Sequence, residues 1–287
     1  MNEKLELLSI VITLRPETAG RLSDNQARAA HAWWLNRARS GAPDLAAQWH
    51  RANQPRPFTL SGLWAGREPA WGPLTLSPER TVALRLTTLD RPTADLAQKL
   101  LLDHHPSFLR LGKVEFQVEE VTVNPRRHPW AGRGSYDELV SQRLMQGAQL
   151  PGRLDFTFRP FTDFQRSPPP NDPLGAGKYA LPFPLPELVM QSLLRRWNAF
   201  APAQAPAELP AFCAHRLLVS SHQIEARLLK FPGRRPTSGF HGRVRYSLYQ
   251  CDPYWTGLIH LLAAYAFYAG VGGRTATGLG QCRAIGG

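Results

Sequence analysis

The sequence predicts an α+β protein made of two tandem ferredoxin-like units, each with the RRM-like order β-α-β-β-α-β, and a C-terminal glycine-rich loop. Two observations support this fold class. Short apolar runs of strand length alternate with helix-length segments in that order, and the order recurs in the second half of the chain. Residues 270–280, hereafter the glycine-rich segment, then hold five glycines around a single arginine.

In the first half, the apolar and β-branched run 5–14 predicts a buried strand. Ser23 or Asp24 is suited to cap the helix that follows, because a short polar side chain can accept hydrogen bonds from the amides of a first helical turn. The remaining expected elements are helices at 25–39, 43–50 and 93–102, strands at 58–63 and 80–86, and an extended segment at 108–123 that contains the last strand.

The second half repeats the pattern after a stretch rich in Arg, Pro and Gly. We expect an N-terminal domain at 1–124, a linker at 125–134 and a C-terminal domain at 135–287. Ser135 and Glu138 have the spacing of a capping box and predict a helix start. The other expected elements are strands at 153–158, 213–220, 224–231, 242–250 and 281–285, helices at 187–200 and 253–268, and a proline-rich loop at 165–186.

The charge balance indicates a polyanionic partner. The chain has 34 Lys and Arg against 22 Asp and Glu, a formal net charge of +12. Most of the basic residues are arginines, whose planar guanidinium suits phosphate. A basic, solvated surface without a partner is the alternative interpretation.

Other classes of protein find little support in the sequence. The three cysteines, Cys213, Cys251 and Cys282, are scattered, which argues against a disulfide framework or a zinc knuckle. No His-x-x-x-His or paired-carboxylate spacing indicates a metal, and no cofactor motif is present. The N-terminus has no signal-peptide pattern, and the longest apolar run, 258–269, is too short to span a bilayer. We therefore expect a cytoplasmic protein without a cofactor.

The glycine-rich segment is the first candidate binding site. It lacks the Gly-x-x-x-x-Gly-Lys pattern of a phosphate-binding loop, and its order of helix, glycines and strand is wrong for a dinucleotide fingerprint. A tight helix-to-strand connection explains two glycines more easily than five. The arginine indicates an anion. The candidate RNA contacts are Gly270, Gly272, Gly273, Arg274, Thr275, Gly278 and Gly280.

A basic hairpin is the second candidate. Alternate arginines on a hairpin could follow a phosphate backbone, while the neighbouring Phe231, Phe240 and His241 could stack on bases. The alternative is a solvated hairpin face without a ligand. That interpretation explains a single cation well, but it explains six cations around one turn less well. The six are Arg227, Lys230, Arg234, Arg235, Arg243 and Arg245.

His50 is the candidate catalytic residue. It ends the second predicted helix, where the helix dipole favours an imidazolium, and Arg56 follows after the turn at Pro55. A histidine that titrates near neutrality beside a permanent cation suits cleavage of RNA by its own 2′-hydroxyl. His31, on the preceding helix, is the second choice. A lone helix-end histidine without a catalytic role is the alternative.

The sequence resembles a known family in three places. The run 269–280 resembles the C-terminal glycine-rich loop of the RAMP superfamily of CRISPR-associated proteins, and Gly239-Phe240-His241-Gly242 extends the match upstream. The segments 45–50 and 55–61 resemble the leucine-histidine and phenylalanine-threonine-x-serine segment of the pre-crRNA-processing endoribonucleases, the sixth Cas family. The stretch from about 125 to 210 has no recognisable counterpart.

The resemblance implies tandem ferredoxin-like domains and cleavage within a CRISPR repeat without a metal. The products would carry a 2′,3′-cyclic phosphate or 3′-phosphate and a 5′-hydroxyl. The family's catalytic histidine falls on His50, and the lysine that some members have falls on Arg56. The family's frequent tyrosine falls near Trp34 or Leu35, neither of which can replace it. The resemblance thus leaves two arrangements, His50 with His31, or His50 alone with Arg56 as its electrostatic partner.

The expected partner is CRISPR repeat RNA, with effector-complex subunits or a second copy of the chain as further possible partners and no membrane. The alternative function is that of a non-catalytic RAMP-type RNA-binding subunit of an effector complex, which would not need His50. An RNA-binding module unrelated to CRISPR is the third.

Overall fold

The computed structural model describes residues 5–22, 26–49, 54–145, 149–168, 177–230 and 236–285. Its contacts divide the chain into two compact units. Unit 1 comprises Met1–Leu139, Asn198–Ala203 and Thr275–Gly278. Unit 2 comprises Val140–Trp197, Gln204–Arg274 and Leu279–Gly287. No helix in the described ranges is long and apolar enough to cross a membrane.

Unit 1 is built on an antiparallel sheet with helices. Its strands are β1 Leu7–Pro16, β2 Gly20–Leu22, β3 Phe58–Leu60, β4 Trp64–Ala65, β5 Leu74–Leu76, β6 Val82–Thr88, β7 Phe108–Leu111, β8 Val114–Thr122 and β9 Gly132–Gly134. Its helices are α1 Gln26–Gly41, α2 Pro43–Gln48 and α3 Arg91–Ala97, which continues as a π-helical stretch at Gln98–Asp103. The next helix, α4 Tyr136–Leu144, follows β9.

The strand order in this sheet is β3-β6-β1-β8-β7, with β4 paired to β6 and β9 paired to β1. The strands β1, β3, β6 and β8 with helices α1 and α3 form the β-α-β-β-α-β arrangement. The even-numbered residues of β1, among them Ile10 and Ile12, belong to one buried cluster with Trp34 of α1. Because strand side chains alternate between faces, this places the main core of unit 1 on the α1 face of the sheet.

Unit 2 repeats the arrangement. Its elements are β10 Arg153–Thr162, β11 Phe164–Arg166, β12 Tyr179–Leu181, α5 Pro186–Phe200, α6 Leu209–Arg216, β13 Leu217–Leu229, β14 Thr237–Leu248, α7 Pro253–Ala269 and β15 Gln281–Ile285. The four-stranded sheet has the order β13-β14-β10-β15. On its buried face, Phe156 and Phe158 of β10 pack edge-to-face against Tyr246 and Phe240 of β14. In both units the sheet order is second, third, first and fourth strand, which is the ferredoxin-like order.

The predicted fold class, two tandem ferredoxin-like units of α+β class, is confirmed. The predicted capping box is also present, because Ser135 Oγ accepts from the amide of Glu138 at 3.1 Å and Glu138 Oε2 accepts from the amide of Ser135 at 2.9 Å. The predicted caps at Ser23 and Asp24 lie outside the described residues.

Several local predictions were wrong. Residues 213–216 form the end of α6 rather than a strand. Pro210 favours the first turn of this helix, and no β-branched residue follows before Val219. The predicted linker 125–134 includes β9, which pairs with β1. The predicted loop 165–186 contains the small β11–β12 pair. By contrast, the prediction of an extended segment at 108–123 that contains the last strand is confirmed, because this segment forms the β7–β8 hairpin. The domain limits at 124 and 135 stay a proposal.

Helix α7 delivers the chain to the glycine-rich segment, and its start depends on one cap. The Asp252 carboxylate accepts from the amide of Trp255 at 2.9 Å, and Pro253 occupies the first helical position. We expect Asp252→Ala to lower the free energy of unfolding by about 1 kcal/mol, because the amide loses its acceptor. Chemical denaturation measures this. Asp95→Ala, which removes only an exposed ion pair with Arg91, is the control and should cost at most about 0.5 kcal/mol; equal losses would contradict the capping role.

Candidate functional site

His31 lies on α1 beside the end of the glycine-rich segment. Its Nδ1 lies 2.8 Å from the carbonyl oxygen of Ala276. A carbonyl oxygen only accepts, so Nδ1 carries the proton in this bond. In the neutral imidazole the lone pair is then on Nε2. The structure therefore fixes both the tautomer and the orientation of a half-buried histidine.

An aromatic cluster connects His31 to the end of α2. The Phe58 ring lies 6.0 Å from the His31 ring and 4.9 Å from the Trp49 ring, measured between centroids. Trp49 also stacks on Trp34, at 5.9 Å. Trp49 immediately precedes His50 in the sequence, and His50 itself lies outside the described residues. The cluster thus places Trp49, the residue before His50, on the same side of α1 as His31.

Arg56 reaches the same place. One of its guanidinium nitrogens donates to the carbonyl oxygen of Trp49. The side chain is partly buried, and this burial lowers the pKa of Arg56 from its ordinary value. A lowered arginine pKa still leaves the group charged at neutral pH. Of the predicted catalytic residues, the structure brings His31 and Arg56 to the Phe58–Trp49 cluster.

The position of Ala276 depends on the close packing of Gly278. The amide of Gly278 donates to Leu60 of β3 at 2.9 Å, and Gly278 forms a parallel bridge with Ser61. Its φ is +101°, and a Cβ there would lie 2.4 Å from the Cβ of Ala27 on α1. Only glycine combines that backbone conformation with that contact.

The first part of the glycine-rich segment is held within unit 2 by α5. Ser192 Oγ accepts from the amide of Gly272 at 2.8 Å, and Arg196 donates to the carbonyl oxygen of Gly272 at 2.7 Å. Burial lowers the pKa of Arg196 to about 10, which leaves it protonated at neutral pH. Both peptide groups of this turn are thus fixed by side chains of one helix.

Asp163 fixes the next two residues. Its carbonyl oxygen accepts from the amide of Gly273 at 2.9 Å, and its carboxylate accepts from Arg274 Nη1 at 2.9 Å. Asp163 is fully buried, whereas the Arg274 side chain is 24% exposed. Arg274 itself has a φ of +54°, in the left-handed region that non-glycine residues seldom adopt. The segment's only arginine is therefore oriented by a buried carboxylate.

These contacts restrict what the glycine-rich segment can offer to a ligand. The amides of Gly270, Gly272, Gly273, Gly278 and Gly280 all donate within the protein, so they do not form an anion-binding nest. Gly270, Thr275, Gly278 and Gly280 are buried. Of the predicted contacts in this segment, Gly272, Gly273 and Arg274 are the ones with partly exposed surface.

The predicted basic hairpin is formed by β13 and β14. Arg243 and Lys230 are exposed and have no ion-pair partner among the described residues. Arg227 pairs with Glu225, and Arg245 makes a two-bond pair with Asp155. Arg234 and Arg235 lie outside the described residues.

The strand register adds arginines that the sequence reasoning missed. Asp155 pairs with Arg245, Thr157 with both Arg243 and Arg283, and Arg159 follows on the same face of β10. Because side chains two residues apart share a face, one face of the unit 2 sheet carries a row of arginines and only two carboxylates, Asp155 and Glu225. The arginines are Arg153, Arg159, Arg227, Arg243, Arg245 and Arg283. The alternation at 153–159 was the available sequence signal.

His241, in the Gly-Phe-His-Gly run, lies on this face too. Its Nε2 is 3.5 Å from a carboxylate oxygen of Glu225, and its Nδ1 is 3.4 Å from an Arg159 nitrogen. Burial and the nearby Arg159 lower the pKa of His241. Within the described ranges, no three His, Cys, Asp or Glu side chains are placed to hold a metal ion.

Comparison with known proteins finds similarity to one family. The family described as CRISPR-associated endoribonuclease Cas6 matches residues 157–282. The solved Cas6 (TTHB231) product complex, a protein of Thermus thermophilus, is 26% identical, with a TM-score of 0.78 over 98% of this chain and 99% of that one. The chain thus resembles the Cas6 family in sequence over residues 157–282, and over nearly its whole length it resembles solved Cas6 proteins in fold.

A second Cas6-type structure agrees. The Cas6 (TTHA0078) product complex is 27% identical and superposes with a TM-score of 0.74, over 97% of this chain and 99% of that one. The same protein in a substrate mimic complex gives a TM-score of 0.70 at 27% identity, with the same coverage. The comparison with curated proteins found no match.

The Asp163–Arg274 pair yields a stability prediction. Arg274→Ala should lower the free energy of unfolding by about 3 kcal/mol, because it leaves a buried carboxylate without its cation. Chemical denaturation of the single variants and of the Asp163→Asn/Arg274→Ala pair measures the coupling, and the double variant should lose less than the sum. Arg243→Ala, exposed and without a described ion-pair partner, is the control, with a change within about 0.5 kcal/mol. Additive losses would show that the pair is not coupled.

Proposed function

We propose that this Cas6-type chain is a metal-independent endoribonuclease that cleaves CRISPR precursor transcripts within the repeat. The observation that carries the proposal is the convergence of His31 and Arg56 on the Phe58–Trp49 cluster, next in sequence to His50. The family match and the solved product and substrate mimic complexes of similar Cas6 proteins support the class of reaction and of substrate.

The reaction is an internal transesterification. The ribose 2′-oxygen attacks the adjacent phosphorus, the bond to the 5′-oxygen breaks, and the products are a 2′,3′-cyclic phosphate, or the 3′-phosphate after hydrolysis, and a 5′-hydroxyl. One group must accept the 2′-hydroxyl proton and another must donate a proton to the leaving 5′-oxygen. Positive charge must also stabilise the extra negative charge on the phosphorane-like transition state.

We assign these roles to three residues. His50 transfers a proton at one of the two oxygens. His31 is the candidate for the other transfer, because its neutral tautomer carries the lone pair on Nε2 while Nδ1 is held by Ala276. Arg56 supplies the charge and does not exchange protons at neutral pH. The arrangement in which His50 acts alone with Arg56 differs only in the role of His31.

RNA binding is proposed for unit 2. The arginine face of its sheet, defined above, offers cations at strand spacing to phosphates. The partly exposed turn at Gly272, Gly273 and Arg274 is proposed to contact RNA phosphates as well. Arg243 and Lys230 are exposed and have no ion-pair partner among the described residues, so a phosphate can contact them directly. Arg227 and Arg245 pair with carboxylates, which a phosphate would have to replace.

The catalytic assignment is tested with a labelled repeat RNA in EDTA. The wild-type chain should cleave it, and a 2′-deoxy substitution at the cut should abolish cleavage without loss of binding. His50→Ala should lower the cleavage rate on the order of a hundredfold or more at nearly unchanged affinity, since it removes a general acid or base. His105→Ala, in an exposed loop, is the matched control.

Each outcome separates the alternatives. A loss with His31→Gln comparable to that with His50→Ala supports the two-histidine arrangement, and an unchanged rate supports His50 with Arg56. Binding without cleavage by the wild-type chain would instead assign it the non-catalytic RNA-binding role.

The binding surface has its own test. Arg243→Ala should weaken repeat binding and reduce the slope of log affinity against log salt by about 0.7–1, because one phosphate contact is lost. The cleavage rate at saturating protein should not change. Arg91→Ala, paired with Asp95 in unit 1, is the matched control, and an equal effect there would remove the sheet face from the binding site.

A further inference from the structure

Unit 1 has a cleft that the proposed catalytic site does not use. The cleft lies between α1 and the β7–β8 hairpin and has a volume of about 560 Å³. On α1, Trp33, Asn36, Arg37 and Ser40 line it, and Arg110 of β7 lines the opposite side. At about 100° per residue, Trp33 and His31 point to opposite flanks of α1. The cleft is therefore separate from the histidine site.

The floor of the cleft is aromatic and fixed. Trp33 is half-buried and packs against the core of unit 1 on one side. No other ring among the described residues stacks on it. Ala29 and Ala32, which line the wall on the side of Trp33 toward the start of α1, have small side chains. A planar ligand could stack there.

Arg37 is held in place beside the indole. Its guanidinium donates to the carbonyl oxygen of Leu100 at 2.8 Å and to that of His104 at 3.0 Å. Partial burial lowers the pKa of Arg37. These bonds use Nε and Nη2, and the described residues give Nη1 no acceptor. Arg37 is thus a cation with a fixed orientation at the cleft wall.

Arg110 supplies a second cation. It is exposed and forms no ion pair with a described carboxylate, although Glu115 stands opposite it in the β7–β8 ladder. None of the described residues that line the cleft is acidic. An aromatic platform between two arginines, with an amide and a hydroxyl nearby, matches one nucleotide unit, because the base can stack and the phosphate can bind a guanidinium.

We infer that this cleft binds one nucleotide of single-stranded RNA, with the base on Trp33 and the phosphate at Arg110 and Arg37. The inference extends the proposed function, since it takes RNA as the ligand and adds a contact on the flank of α1 opposite His31. A single-stranded region outside the cleaved bond would occupy the cleft.

The test uses an unstructured ten-nucleotide RNA that carries 5-iodouridine, which cross-links to aromatic side chains on irradiation. Mass spectrometry of the wild-type chain should identify the peptide that contains Trp33. Trp33→Ala should lower affinity for the same RNA about tenfold, as for the loss of one stacked base. Arg110→Ala should lower it about threefold, by loss of a phosphate contact. Arg39→Ala, an exposed cation of α1 outside the cleft, should leave it unchanged.

Two results would overturn the inference: cross-links confined to other peptides, or equal losses for Arg110→Ala and Arg39→Ala. Because Trp33 packs on the core, the thermal unfolding of each variant is measured as well. If Trp33→Ala fails to fold, the result with Arg110→Ala, at an exposed position, decides. The readout is independent of cleavage. A wild-type chain that cross-links at Trp33 but cuts no repeat refutes the catalytic proposal alone, and one that cuts without this cross-link refutes the cleft alone.

Discussion

The close approach of two backbones at Gly278 is the constraint on which the candidate site depends. Residues 275–278 come from the far end of the chain, yet they pack within unit 1 against α1 and β3. A side chain at 278 would overlap Ala27, and the required φ is one that other residues avoid. With this contact made, the carbonyl of Ala276 meets His31 and selects the tautomer of its ring. A packing requirement thus determines which nitrogen of the His31 ring carries the proton in the neutral form.

The same logic explains why the glycines are so dense. Gly272 and Gly273 lie against Asp163, where a Cβ on either would come within 2.8 Å of an oxygen of that residue. The sequence suggested a backbone surface for an anion, but most of these amides already donate to protein acceptors. These two glycines allow the chain to fit beside α5 and Asp163. Arg274, which follows them, takes its orientation from the buried carboxylate of Asp163. What remains for a ligand is a short, rigid turn.

Sequence reasoning reached the fold class because hydrophobic periodicity records which face of each strand and helix is buried. It proposed His31 and Arg56 from residue chemistry and family resemblance. It could not predict the Ala276 contact, which joins positions 245 residues apart. The error at 213–216 arose because a short apolar run fits either a strand or a buried helix. The arginines at 153, 159 and 283 went unnoticed because each strand shows only one or two of them. They form a row only when the register of the sheet is known.

The membership of residues 275–278 in unit 1 also has a consequence for biosynthesis. Domains of a nascent chain generally fold in order as they leave the ribosome, at about 5–20 residues per second. Unit 1 departs from this order, because its residues Thr275–Gly278 are translated after most of unit 2. After residue 139 has been added, on the order of ten seconds of synthesis remain before Gly278 can reach β3. During that interval the nascent chain lacks the Ala276 carbonyl that orients His31, so the arrangement proposed for cleavage forms only after most of unit 2 has been synthesised.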